Sequence, residues 1–130
     1  MLLLLLALAA GPGDWTDYRG PGRDGHADGA DLPTTWSEEE NVAWKTPIHG
    51  RGWSSPVLLE GRAWLTTAPP TGDRLSVLAV DLATGKVEVD RVVFEVDEPE
   101  HRNGLNSYAS PSPVADKGRV FVHFGTYGTA

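Results

Sequence analysis

The sequence predicts an all-β protein built from repeated units of four antiparallel strands. Short β-branched runs, such as residues 57–59 and 92–94, alternate with turn-forming residues, which include 15 glycines and 10 prolines. No stretch spaces its apolar residues at helical intervals. One segment also occurs twice at a constant offset, which indicates a repeat architecture.

The repeat aligns residues 55–67 with residues 112–124 without a gap, at an offset of 57 positions. Both copies contain Ser-Pro-Val, then a Gly-Arg pair, then an apolar run. Each copy is therefore predicted to be a β-hairpin, with Gly61 or Gly118 in the turn, where a positive φ is needed. Two hairpins at one spacing indicate a repeated unit.

Two further strands are predicted between the hairpins. Residues 74–81 have the composition of a largely buried strand, whereas residues 86–94 begin with charged residues that alternate with valine. The second pattern suits an outer strand, because charges on an exposed edge discourage pairing with other chains. One unit then runs from a buried inner pair to a polar outer rim, which is the arrangement of a β-propeller blade.

The turn between these two strands resembles a known repeat motif. Residues 79–89 read Ala-Val-Asp-Leu-Ala-Thr-Gly-Lys-Val-Glu-Val. They resemble the repeat of pyrroloquinoline-quinone-like (PQQ-like) β-propellers, which has Ala-x-Asp, two residues, Thr-Gly, and a Trp four positions after the Gly. Val89 stands where that Trp is expected, and the Trp normally packs between neighbouring blades. Residues 14–21, 42–47 and 50–57 also resemble the opening of exported members of the family.

This resemblance implies a partial propeller of four-stranded antiparallel blades. Residues 11–41 are expected to be an irregular N-terminal wrap, and residues 42–47 a strand that closes the ring against its last blade. One blade is predicted at residues 52–94 and half a blade at residues 108–130. Since propellers typically need about four to eight blades, the chain is expected to be an N-terminal fragment that requires further C-terminal blades for ring closure.

Residues 1–10 predict a signal peptide. They form an apolar, leucine-rich run that is too short for the ~20 residues that span a bilayer. Ala7 and Ala9 provide the small-residue spacing of a signal-peptidase site. The expected location is therefore the periplasm or the exterior, with no transmembrane helix. The alternative is a buried N-terminal strand or helix.

Charge and residue types exclude several classes of function. The net charge of −7 disfavours nucleic acid as a partner, and the absence of cysteine excludes disulfides and thiolate chemistry. The histidines lack metal-site spacing. Five N-terminal aspartates have the composition of a calcium loop without its residue order. The four histidines are His26, His49, His101 and His123, and the five aspartates are Asp14, Asp17, Asp24, Asp28 and Asp31.

Four residues are candidates for ligand binding. Arg51 and Trp53 precede the first hairpin, and Asn106 and Tyr108 precede the second. Residues that enter innermost strands lie near the mouth of a propeller channel, where side chains from successive blades converge. The aromatic rings could stack on a ligand and the polar groups could orient it. The alternative is that all four cap strands and pack between blades.

The expected function is a non-catalytic, exported scaffold for binding or assembly, resembling the outer-membrane assembly lipoprotein type of propeller. Its partner would be a protein or another component of the cell envelope. The alternative is a quinoprotein dehydrogenase that uses PQQ and calcium at a site largely outside these residues. The sequence identifies no catalytic residue and no metal ligand, and the resemblance alone does not decide the function.

Overall fold

The computed structural model describes residues 13–27 and 33–130. The predicted signal peptide at residues 1–10, together with Asp28 and Asp31, lies outside these ranges. In the described part, every regular element is a strand except one short 3-10 turn at Gly125–Tyr127, which confirms the all-β prediction. Within the same ranges, no helix has the length and apolarity needed to cross a membrane. The strands are β1 (Val57–Leu59), β2 (Arg62–Thr67), β3 (Arg74–Asp81), β4 (Val87–Glu95), β5 (Val114–Asp116) and β6 (Arg119–Phe121).

The first four strands form one antiparallel sheet in the order β1-β2-β3-β4. Strand β3 has a partner on both sides, and its residues Leu75, Leu78 and Ala79 are buried. Strand β4 lies at the edge, and most of its side chains are exposed. The inner and outer positions predicted for these two strands are therefore confirmed.

The two predicted hairpins have the same turn. Glu60 and Gly61 have φ values of 51° and 75°, and Lys117 and Gly118 have φ values of 49° and 73°. Two successive residues with positive φ make the type I′ turn, whose twist matches that of paired strands. Strands β5 and β6 repeat β1 and β2 in pairing as well as in sequence.

Equivalent positions of the two units contact each other directly. The backbone N–H of Ser55 donates a hydrogen bond of 2.9 Å to Oγ of Ser112, which occupies the same place in the second repeat. Nearby, the Trp53 N–H donates to the Ala109 carbonyl at 3.0 Å. Here the donor and the acceptor occupy equivalent positions of two successive units. Such a contact is head-to-tail, since the same bond can form again between the second unit and a third.

A shared apolar core joins the sheet to the second unit. Phe124 is 2% exposed and packs in one cluster with Leu75 and Val122. Its ring meets that of Phe94 from β4 edge to face, with centroids 6.1 Å apart and an interplanar angle of 87°. Because the cluster takes side chains from both units, they are expected to unfold together.

The second unit continues beyond β6. After the turn at Gly125–Tyr127 the chain reverses, and Val122 and Ala130 exchange backbone hydrogen bonds of 2.9 and 3.0 Å. His123 and Thr129 form an antiparallel bridge between them. Residues 128–130 therefore pair where the third strand of a second unit would begin.

Residues 42–47, predicted as a closing strand, form no strand with the described part of the chain. Their burial alternates as in an extended chain, because Trp44 and Thr46 are half-buried between exposed neighbours. The Trp44 indole N–H donates to the Leu82 carbonyl at 2.9 Å, and the Thr46 hydroxyl donates to the Gly85 carbonyl. The pairing with a last blade stays a prediction, but the segment contacts the turn of the repeat motif.

The same segment continues across one face of the sheet. The His49 carbonyl accepts a hydrogen bond from the Thr67 hydroxyl, and His49 Nε2 lies 3.0 and 3.1 Å from the Asp90 carboxylate oxygens. Asp90 and Thr67 lie on the same face, since Asp90 is opposite Leu78 in the ladder and Leu78 is opposite Leu65. The other face packs against the second hairpin through Val57 and Ala115.

The turn after β3 is held by the carboxylate of Asp81. Its Oδ1 accepts the Thr84 hydroxyl at 2.6 Å and the Thr84 N–H at 2.8 Å. These hydrogen bonds, the hydroxyl first, lower the pKa of Asp81 from its ordinary 3.8, with a further contribution from the Arg62 charge. The depressed pKa means that the ionised carboxylate stabilises the fold above the unfolded pKa, and that this stabilisation is lost as the pH falls through the folded value.

We therefore expect Asp81→Asn to lower the melting temperature at pH 7 and to have a smaller effect at acid pH, as the pH falls below the ordinary pKa of 3.8 and through the lowered pKa of the folded state. Thermal unfolding at pH 7, 5, 4 and 3 measures the difference between the two proteins. Thr84→Val removes the hydroxyl donor. Adding Asp81→Asn to Thr84→Val should therefore lower the melting temperature at pH 7 by less than Asp81→Asn does alone. A gap between wild type and Asp81→Asn that stays constant over this range would contradict the assignment.

Candidate functional site

Arg51 and Trp53 line a groove of about 380 Å³ between residues 48–54 and the end of β2. Arg51 and Ala68 exchange backbone hydrogen bonds of 2.8 and 3.1 Å. Further along the same segment, the Ser54 hydroxyl oxygen accepts the Thr66 N–H at 3.1 Å. The segment lies so close to β2 that a Cβ on Gly52 would be 2.4 Å from the Thr66 carbonyl oxygen. The backbone that carries Arg51 and Trp53 is therefore fixed.

The two side chains, in contrast, are exposed. Trp53 is 62% exposed although its backbone N–H is bonded to the second unit. Arg51 is exposed, and its guanidinium makes no ion pair or hydrogen bond within residues 13–27 and 33–130. The groove's other ionisable group, His49, is engaged with Asp90. An exposed indole beside an exposed guanidinium offers a stacking surface and an anion-binding group on a rigid support.

Tyr108 lies in a different cavity, of about 250 Å³, and is held by its neighbours. Its hydroxyl donates to the Glu100 carbonyl at 2.8 Å, and the Arg102 guanidinium lies 5.1 Å from its ring centroid. A Cβ on Gly72 would be 2.5 Å from the ring, so the ring packs directly on that turn. These contacts are those of a packing residue.

Asn106 belongs to the same cavity and organises the loop around it. Its side-chain oxygen accepts the Ser107 N–H at 2.9 Å and also the Ser110 hydroxyl. Its carbonyl accepts a hydrogen bond of 2.6 Å from Arg102. Both carbonyl oxygens of Asn106, in the side chain and in the backbone, are therefore engaged in holding this loop.

The four predicted residues are thus not brought around one space. The two cavities share no lining residue. Arg51 and Trp53 keep the properties of a recognition surface, whereas Asn106 and Tyr108 have the contacts of the packing alternative.

The pair formed by His49 and Asp90 is a contact that was not predicted, and its His49 lines the first groove. The two residues are 41 positions apart. No local motif marks them, and only the path of residues 42–49 across the sheet brings them together.

A third cavity, of about 330 Å³, is lined mainly by apolar side chains of the sheet and the second hairpin. The Trp64 indole N–H, which borders it, is buried and has no acceptor among the described residues.

Where they are described, the aspartates with the composition of a calcium loop have polar partners within the protein. Asp14 accepts the Glu60 N–H at 2.9 Å, and Asp24 accepts the His26 N–H at 3.0 Å. Asp17 lies 3.9 Å from the Arg23 guanidinium. In the described ranges, no three His, Asp or Glu side chains gather into a group that could hold a metal ion.

We expect Trp53→Ala to change the free energy of unfolding by less than about 0.5 kcal/mol, since its side chain is largely exposed. Tyr108→Ala should cost about 2 kcal/mol or more, because it removes a packed ring and leaves a void over Gly72. Urea denaturation of both variants measures the difference. Equal losses would show that Trp53 is also a packing residue.

Comparison with known proteins found no matching family model, no matching curated protein and no matching solved structure.

Proposed function

We propose that the chain is part of an exported β-propeller of the PQQ-like type that serves as a non-catalytic scaffold for binding or assembly in the cell envelope. The groove beside Trp53 and Arg51 is its docking surface. Under this proposal, a complete ring requires further blades.

The arrangement of the repeat units supports a propeller. The blades of a propeller are antiparallel four-stranded sheets with strands in sequence order. Strands β1 to β4 have that order. The second unit begins with the same hairpin, and the Ser55–Ser112 hydrogen bond is of the kind that can propagate from unit to unit.

The contact of Trp44 gives separate support. In the family that the sequence resembles, a Trp packs between neighbouring blades. Trp44 packs on Gly85 of the repeat motif, so closely that a Cβ there would lie 2.6 Å from the indole ring. It is supplied by residues 42–47, the segment predicted to belong to a neighbouring blade.

The observation that carries the binding function is the state of Trp53 and Arg51. Both have their backbones bonded into the fold, and both side chains are exposed without a partner in the described part of the chain. Trp and Arg dominate the energetically important positions of protein interfaces. A pre-organised backbone also lowers the entropy that is lost on binding.

Site-specific photo-crosslinking tests this function. A photoreactive aromatic amino acid replaces Trp53 in the protein expressed in its own cell envelope, and the matched control replaces Trp36, which is 71% exposed and lines none of the three cavities. We expect a discrete adduct from position 53, none from position 36, and a loss of the adduct in Arg51→Ala. The same diffuse adducts from both positions would contradict a docking surface at the groove.

A further inference from the structure

The N-terminal segment at residues 14–20 pairs with the first strand of the sheet. Trp15 and Leu58 exchange backbone hydrogen bonds of 2.8 Å in each direction and form an antiparallel bridge. The Asp14 carboxylate adds a third bond at this edge by accepting the Glu60 N–H. The edge of β1 that faces away from β2 is therefore occupied at Leu58.

The next residue of the segment bonds to the second unit. The Thr16 carbonyl accepts the backbone N–H of Ala115 in β5 at 2.8 Å. Successive residues of an extended chain direct their backbone polar groups to opposite sides, so the segment lies between β1 and β5. Leu58 and Ala115 are also equivalent positions of the two repeats. The segment thus joins the same point of both units.

Residues 14–20 also fold on themselves. The Gly20 N–H donates to the Asp17 carbonyl at 2.8 Å, and Gly20 is buried under Trp15, where a Cβ would lie 2.8 Å from the indole ring. The segment has no regular strand or helix, as expected for an irregular wrap at residues 11–41, but its backbone is tied to the fold by specific hydrogen bonds.

We propose that residues 14–20 are a clamp that holds the first strands of the two units together and shields their free edges from other chains. Among the described strands, β1 and β5 each have one neighbour in their own sheet, so without the segment the opposite edge would present unpaired N–H and C=O groups. Such edges are templates for pairing with a second copy of the chain. The clamp satisfies the N–H groups of Leu58 and Ala115 from within the molecule.

Amide hydrogen exchange of the whole chain tests the clamp. In Trp15→Ala, we expect the amides of Leu58 and Ala115 to exchange at least about tenfold faster, as in local opening, while the Leu78 amide in the centre of the sheet keeps its protection. Gly20→Ala should give the same pattern, since its new methyl group displaces the Trp15 ring. Tyr18→Ala is the matched control, because Tyr18 lies in the clamp but is 63% exposed.

Shielding has its own readout. Sedimentation velocity at increasing protein concentration should show stronger self-association of Trp15→Ala and Gly20→Ala than of wild type and Tyr18→Ala. Unchanged exchange at Leu58 and Ala115 in both clamp variants would overturn the clamp, as would a loss of protection at Leu78 equal to that at Leu58. Unchanged self-association despite faster exchange would overturn the shielding. The clamp does not involve the Trp53 groove, so the crosslinking experiment can fail without affecting this result.

Discussion

We expect Gly85→Ala to destabilise the fold much more than Gly61→Ala. Both glycines lie in turns with nearly equal φ values, 71° and 75°, and alanine in this left-handed region costs about 1–2 kcal/mol at either position. Their surroundings differ, because a Cβ at Gly85 would lie 2.6 Å from the Trp44 ring and a Cβ at Gly61 would meet nothing within 4 Å. Overpacking adds about 1–3 kcal/mol at Gly85 alone. Urea denaturation gives both free energies of unfolding.

A double-mutant cycle shows whether Trp44 causes the difference. If the clash with the indole is the reason, Gly85→Ala in a Trp44→Ala background should cost no more than Gly61→Ala. Equal losses for the two single glycine variants would mean that Trp44 does not pack on the repeat-motif turn. The support that this contact gives to the propeller would then be lost.

Phe124→Ala should cost about 3–5 kcal/mol, since it empties a large, fully buried site. Phe124 is 2% exposed and packs on Phe94 of the sheet, whereas Phe121, in the same hairpin, is 42% exposed. Phe121→Ala is therefore the matched control, with an expected change within about 0.5 kcal/mol. Thermal unfolding followed by far-UV and near-UV circular dichroism measures both variants.

The same experiment tests whether the two units share one core. Because Phe124 lies between them, wild type should unfold in one transition, and Phe124→Ala should shift that transition as a whole. A variant that loses only the signal of the second hairpin while the sheet keeps its melting temperature would show that the units are independent.

The parts of the fold that local sequence determines could be predicted. The two hairpins follow from a short turn that requires positive φ, and the edge position of β4 follows from its alternating charges. Strand limits were close as well, with residues 86–94 expected and Val87–Glu95 observed. In these cases the determining interactions lie within a few residues.

Interactions between distant segments could not be predicted. No pattern in the sequence indicates that Trp15 pairs with Leu58 or that His49 meets Asp90, since both contacts depend on how irregular segments cross the sheet. The candidate site was affected in the same way. Tyr108 was a binding candidate on its residue type and position, but its ring packs on the turn at Gly72, a contact that no local pattern indicates.

A crystal structure of the protein as the cell produces it tests the proposed propeller most directly. We expect four-stranded antiparallel blades around one axis, with a serine of the third unit accepting the Ser112 N–H as Ser112 accepts the Ser55 N–H at 2.9 Å. Trp44 should belong to the strand that closes the ring. An open stack of two sheets, with the Ser112 N–H bonded to no following unit, would contradict the propeller.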